Sequence, residues 1–203
     1  MGRRSQHTPD VLRRMIIEAA EAIVAEGGLA LLSAREIAKR IEYSPGTLYN
    51  IFDNLDGVVV TIEGRLLDRL ERRLAEVTGK TPQDRLIGLA KAYLAFTHEN
   101  PKLWNLLFEH RLPEGQDLPE WYMEKLTGLL AQIEDALTPF FSADDGEARG
   151  RAARVLWAAV HGITSLSTSG KLTIITTQAA PQLAENLVRT YLAGLAGQKR
   201  SKA

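Results

Sequence analysis

Cysteine is absent from this chain, so it builds no disulfide framework, thiolate metal site or cysteine nucleophile. No apolar run approaches the roughly 18 residues of a membrane-spanning helix, and no charged-then-apolar leader opens the sequence. A soluble, cytoplasmic protein with no membrane partner is therefore expected. An excess of one charge sign is missing too: Lys+Arg and Asp+Glu both number 25, so total charge gives no sign of a polyanionic partner. Repeats and low-complexity linkers are lacking, and strand-like alternation is confined to a short β-prone run at residues 172–177. The four histidines, His7, His98, His110 and His161, stand far apart. None pairs with a carboxylate at a metal-site spacing such as H-E-x-x-H, and there is no phosphate-cradling glycine-rich loop or G-x-S-x-G. No catalytic residue, metal or cofactor is expected, and an enzyme is disfavoured.

What is present is helical periodicity. The 203 residues make one large domain or two small ones, enough to bury a core. Thr8 and Pro9 open a helix with Leu12, Ile16, Ala19, Ala20 and Ile23 on one face, and Gly27 and Gly28 stop it. A long helix starts near Asp56 with Val59, Ile62, Leu66, Leu70 and Leu74 as its stripe. Thr81-Pro82 and Asn100-Pro101 begin two more, the second carrying Leu103, Trp104, Leu107 and Phe108. A loop at 113–119 precedes a helix to about residue 141. Further helices cover roughly 147–168 and 181–195. The fold class is all-α: an N-terminal helical head at 1–54 and a larger helical body at 55–203.

Residues 33–52, SAREIAKRIEYSPGTLYNIF, carry the most information. Ser33 with Glu36 has capping-box spacing, and Ile37, Ala38 and Ile41 give the first helix an apolar edge. Ser44-Pro45 opens a second helix with Leu48, Ile51 and Phe52 inward. Pro45, Gly46, Thr47, Tyr49 and Asn50 fall outward, a polar face suited to a DNA groove. Asn50 suits adenine, the Thr47 methyl suits thymine, and Gly46 admits close backbone approach. Arg35, Lys39 and Arg40 are candidate phosphate anchors, while Tyr43 in the turn either reaches a phosphate or packs. Residues 1–14 carry Arg3, Arg4, Arg13 and Arg14 against Asp10, a basic arm fit for the DNA backbone. Lys199, Arg200 and Lys202 are ordinary tail charge.

Ile37-Ala38, Ser44, Gly46-Thr47-Leu48-Tyr49 and Phe52 resemble the helix-turn-helix signature of the TetR family of bacterial transcriptional regulators. Trp157, His161 and Gly162 (WAAVHG) resemble the C-terminal domain type named for its Trp-His-Gly motif. The resemblance implies a homodimer joined by a four-helix junction, whose ligand alters the separation of two heads on a double-stranded DNA operator. Two departures stand out. Glu42 occupies the turn position usually held by Gly, so a left-handed residue costing about 1 kcal/mol is expected. Leu55 replaces the usual Lys, and residues 41–64 hold no Lys or Arg against Glu42, Asp53, Asp56 and Glu63. Few ionic phosphate contacts per subunit are expected, and a shallow salt dependence unless the N-terminal arm contributes.

The stretch 155–166 is apolar on nearly every side and reads as buried, with Trp157, His161, Thr164 and Thr168 in one line. His161 is either a satisfied core histidine or the orienting polar group of a pocket. That pocket would be walled by Tyr93, Phe96, Trp104, Phe108, Trp121 and Tyr122 and take a moderately apolar effector. Ala158, Ala159, Gly162, Ala184, Ala193 and Gly194, with Leu183, Leu187 and Tyr191, suit a subunit seam. The expected function is a dimeric repressor on a palindromic operator, released by a small molecule. The alternative is a helical interaction protein of TetR-like fold with an impaired head.

Overall fold

Proline and small polar residues set where the helices begin. Thr8 caps α1 (Pro9–Gly27), its hydroxyl accepting from the Val11 N–H at 3.4 Å, and Pro9 sits where a missing N–H costs nothing. Gly28 ends that helix at φ 80°, a left-handed conformation natural to glycine. Ser33 caps α2 (Ala34–Arg40) through the Glu36 N–H at 3.2 Å, and Ser44-Pro45 opens α3 (Pro45–Tyr49). The Asn54 side-chain oxygen accepts from Gly57 N–H at 2.8 Å in the first turn of α4 (Leu55–Ala75). α5 (Pro82–Glu99) and α6 (Pro101–Glu109) each start on a proline. After the loop come α7 (Glu120–Leu137), α8 (Gly146–Thr168), α9 (Leu172–Ile175) and α10 (Ala180–Lys202).

The computed structural model describes the backbone of residues 7–202 and the side chains of residues 7–197. Arg3 and Arg4 of the basic arm, and the side chains of Lys199, Arg200 and Lys202, lie outside the described residues. Among the described residues every regular element is helical, and the fold is all-α.

The chain divides into two compact units, residues 1–66 with 100–123, and residues 67–99 with 124–203. The expected boundary after residue 54 coincides with the start of α4, whereas the division by compactness passes within α4 and α7. In the first unit α1 packs on α2 and α6, and α2 on α3. Ile16, Ile23, Ile37, Leu48, Val58, Ile62 and Leu106 are fully buried there, each stabilising by about 1.5–3 kcal/mol on leaving water. In the second unit α10 packs on α5 and α8, with Leu137, Leu156, Ala184, Val188 and Leu192 buried.

Two expectations are corrected. The β-prone run at 172–177 forms the single helical turn α9. No strand exists among the described residues to pair with it, and Ile174 is 82 % exposed. The 155–166 stretch is not buried on every side. Leu156, Val160 and Thr164 are buried, but Val155 is 51 % exposed, and Trp157, Ala158, Gly162 and Ser165 are exposed with it. Sequence read alone does not separate a helix buried in its own core from one with an apolar face left outward.

Candidate functional site

The helix-turn-helix is anchored from below and open above. Ile37, Ala38, Leu48 and Phe52 are buried, so the rotation of α2 and α3 is fixed by their inward faces. Ser44, Pro45, Gly46, Tyr49 and Asn50 are exposed, and Thr47 is half-buried, its hydroxyl 3.4 Å from that of Ser44. Tyr49 is 55 % exposed, too much for a packing residue. A Cβ built on Gly46 would meet only Ser44 Oγ, at 3.8 Å, so the start of α3 is accessible at the backbone.

The turn between the helices closes on Glu42 at φ 58°. Its N–H donates to Lys39 O at 3.3 Å and the Tyr43 N–H donates to Ala38 O at 2.9 Å. This paired closure ends a helix on a left-handed residue, normally glycine, and here on glutamate as expected. The Tyr43 hydroxyl lies 2.7 Å from His7 Nδ1, which ties the turn to the residue before α1.

The basic residues divide by what already holds them. Arg40 makes a two-pronged bond to Glu26 at 2.8 and 2.7 Å, which holds the Glu26 carboxyl below its ordinary range. Arg13 stacks over the Phe52 ring at 4.3 Å. Arg35 and Lys39 are exposed, Lys39 only 3.9 Å from Glu36. Of the three cations expected on α2, Arg40 thus serves the head internally.

Two of the four acidic residues in the 41–64 stretch serve a different purpose from the one their sequence position suggests. His110, after α6, places Nε2 3.0 Å from Asp56 Oδ1 and Nδ1 3.2 Å from Glu63 Oε1. Glu63 is 3 % exposed, and the Tyr122 hydroxyl also bonds it. Burial pushes the Glu63 carboxyl above its ordinary range, offset by the charge and hydrogen bond of His110 and by Tyr122. Burial, and then the Glu63 charge, push the Tyr122 phenol upward. This cluster was invisible to spacing rules because His110 stands 54 and 47 positions from its partners. Among the described residues, no group of three or more His, Asp or Glu side chains is placed to hold a metal ion.

Beside the cluster lies a cavity of about 390 Å³, entirely within the first unit. Its polar wall is Glu63, His110, Gln116, Asp117 and Tyr122. Leu107, Leu112 and Leu118 complete it.

The nine residues expected to form an effector pocket fall into two groups. In the first unit, Trp104 is buried with its ring 5.8 Å from half-exposed Phe108, and Trp121 lies 5.8 Å from Tyr122. Of these four only Tyr122 lines the cavity. In the second unit the Trp157 and His161 rings stack at 5.5 Å and 12°. The Tyr93 hydroxyl lies 2.9 Å from His161 Nδ1 and also bonds the Trp157 indole. Indole N–H only donates, so Tyr93 accepts from Trp157, and its own O–H remains available to His161 Nδ1. Burial lowers the His161 pKa and raises that of Tyr93. Phe96 and Thr164 are buried, and the Thr164 hydroxyl donates to Val160 O at 2.9 Å within its own helix.

A small head with an outward polar helix and a second all-helical unit define a DNA-binding regulator of the helix-turn-helix class. Residues 16–60 match the family model for bacterial regulatory proteins of the tetR family, and residues 86–191 the tetracyclin repressor-like C-terminal domain. The chain belongs to the TetR family of transcriptional regulators. It is similar to an HTH-type transcriptional regulator of Mycobacterium tuberculosis, 28 % identical over 82 % of this chain and 75 % of that protein. The HTH-type transcriptional repressor KstR of Mycolicibacterium smegmatis is 33 % identical over 36 % of this chain and 37 % of its own length. A tetR-family regulator from Streptomyces coelicolor shares the fold, with TM-score 0.71 and 16 % identity over 100 % of this chain and 85 % of that one. These relatives are regulators and not enzymes, in line with the sequence reading.

Proposed function

We infer that the chain acts in the cytoplasm as a homodimeric repressor that binds a palindromic operator and is released by a small molecule. The observation that carries this reading is a pair of outward faces. One is the face of α3 with Tyr49 and Asn50 exposed above buried Leu48, a helix too short to read an operator alone. The other is the stripe left open on α8 and α10. A Cβ added to Gly162 or Gly194 would meet nothing within 4 Å, and Val155, Ala158 and Ala193 are exposed with them. Mid-helix glycine costs about 1 kcal/mol relative to alanine, a cost that close approach of a second copy offsets. The repressor named among the relatives supports the direction of control.

Arg35, Lys39, Tyr43, Ser44, Pro45, Gly46, Thr47, Tyr49 and Asn50 form the DNA-facing set in this reading. The test is selection from random duplexes with purified protein, repeated with Tyr49→Ala, alongside sedimentation at micromolar concentration. The expected result is a dimer that enriches a palindrome, with affinity falling about ten-fold or more in the variant. A monomer, or a folded dimer that enriches nothing, overturns the reading.

A further inference from the structure

Whatever enters the cavity beside His110 meets an unusual electrostatic setting. Glu63 and Asp117 line it, Asp56 bonds the far side of His110, and its lining residues include no lysine or arginine. Each nitrogen of His110 faces a carboxylate oxygen, at 3.0 and 3.2 Å. A neutral imidazole donates from one nitrogen only. Both bonds therefore need one proton beyond the neutral ring's own, carried by the imidazole or by one of the two carboxyls. The proton inventory is the same in every case, and with Asp117 the site is net negative.

An anion is repelled by such a wall. A neutral apolar molecule strips water from the exposed Asp117 side of the wall and returns nothing to it. An ammonium group compensates the buried carboxylate directly, while Leu107, Leu112 and Leu118 suit a short hydrocarbon body. The volume, about 390 Å³, sits at the small end of the range of about 300–1,000 Å³ typical of ligand sites.

We propose that the cavity formed by Glu63, His110, Asp117 and Tyr122 binds a small organic cation, a protonated amine with a short apolar body. Taken with the reading of the chain as an effector-released regulator, on which this step rests, the site also has an output. Asp56 lies in the first turn of α4, directly after the helix-turn-helix, and His110 joins it to Glu63. A cation that takes over Glu63 frees His110 and loosens that tie, so the ligand biases the head through α4.

The test uses full-length protein without DNA, titrated by calorimetry with n-hexylammonium and phenethylammonium, and with hexanol and hexanoate as neutral and anionic controls. Both ammonium ions are expected to bind about ten-fold or more tightly than either control. Glu63→Gln is expected to remove that preference, and Asp117→Asn, in the exposed loop where folding is not at stake, to weaken cation binding about three-fold. Glu147→Gln on α8, distant in sequence and outside the cavity, leaves it unchanged. Absence of ammonium binding, equal binding of hexanol or hexanoate, or cation binding untouched by both cavity substitutions overturns the proposal. Operator affinity measured with saturating ammonium is a separate readout. Binding that leaves operator affinity unchanged keeps the cation site and removes the effector output.

Discussion

Two histidines, one in each unit, show how differently a protein satisfies the same ring. His110 is held by acidic groups: both nitrogens meet carboxyl oxygens, the cluster is net negative, and one carboxyl, Glu63, is nearly inaccessible to water. His161 is held by aromatic contact and neutral hydrogen bonding: it stacks on Trp157 and shares a hydrogen bond with the Tyr93 hydroxyl at Nδ1. In the first arrangement removing one partner strands a buried charge. In the second it strands a hydroxyl or exposes a ring edge. Charge clusters of the first kind are costly to break and sensitive to ions; aromatic ones tolerate loss better.

The sharpest break of that contrast is His110→Ala. Leaving Glu63 buried without its partner is expected to cost about 3–5 kcal/mol in urea unfolding, and adding Glu63→Gln to the same chain returns most of it. If the single variant loses no more than a surface substitution does, the cluster is not the charge-held pair described here. Next in size is Tyr93→Phe. It deletes the hydrogen bond with His161 and the acceptor for Trp157, at an expected cost of about 1–2 kcal/mol, and no second substitution is needed to explain the loss. A loss as large as that of His110→Ala erases the distinction between the two sites.

The smallest effect is the dependence on pH, and there the two sites differ in sign. Glu63 has a raised folded-state pKa, so the stability it contributes is present below the ordinary carboxylate range and is lost as pH rises through the raised value. His161 has a lowered one, so its contribution is present above the ordinary histidine value, about 6.5, and is lost as pH falls through the lowered value. Glu63→Gln is therefore expected to flatten the loss on the alkaline side, and His161→Phe the loss on the acid side. Each slope is bounded by the one proton its group exchanges. Hydrogen exchange in α1 and in α5, followed across pH, reads the units separately, and slopes of the same sign in both refute the assignment.

How much of this was legible in the sequence depended on how local each cause is. Thr8, Ser33, Ser44-Pro45, Pro82 and Pro101 mark helix starts because caps and prolines act within one turn. Glu42 is legible as a left-handed residue through the family resemblance, which places glycine at that turn position. The outward face of α3 followed from periodicity alone. The pairing of His110 with Asp56 and Glu63 was not legible, since it depends on α6 returning to α4. For the same reason Asp56 and Glu63 read as charges set against a polyanion, when they are committed inside the first unit. The open stripe of α8 reads as core from sequence because apolar composition does not say whose core it is. Phe108, expected among inward aromatics, is 49 % exposed, one position round the helix from half-buried Leu107 and two from fully buried Leu106.

The glutamate at the turn has a further consequence for how such a regulator finds its target. Most of the time a DNA-binding protein in a cell stands before the wrong sequence, held by phosphate contacts that any duplex offers. An exposed carboxylate at Glu42, and an Arg40 already committed to Glu26, subtract from that indiscriminate attraction. In the proposed reading, where α3 makes the base-edge contacts, those contacts are left largely untouched. On that reading the head gives up dwell time on bulk chromosome, and with it some total affinity, in exchange for a shorter search and a larger ratio between right and wrong sites.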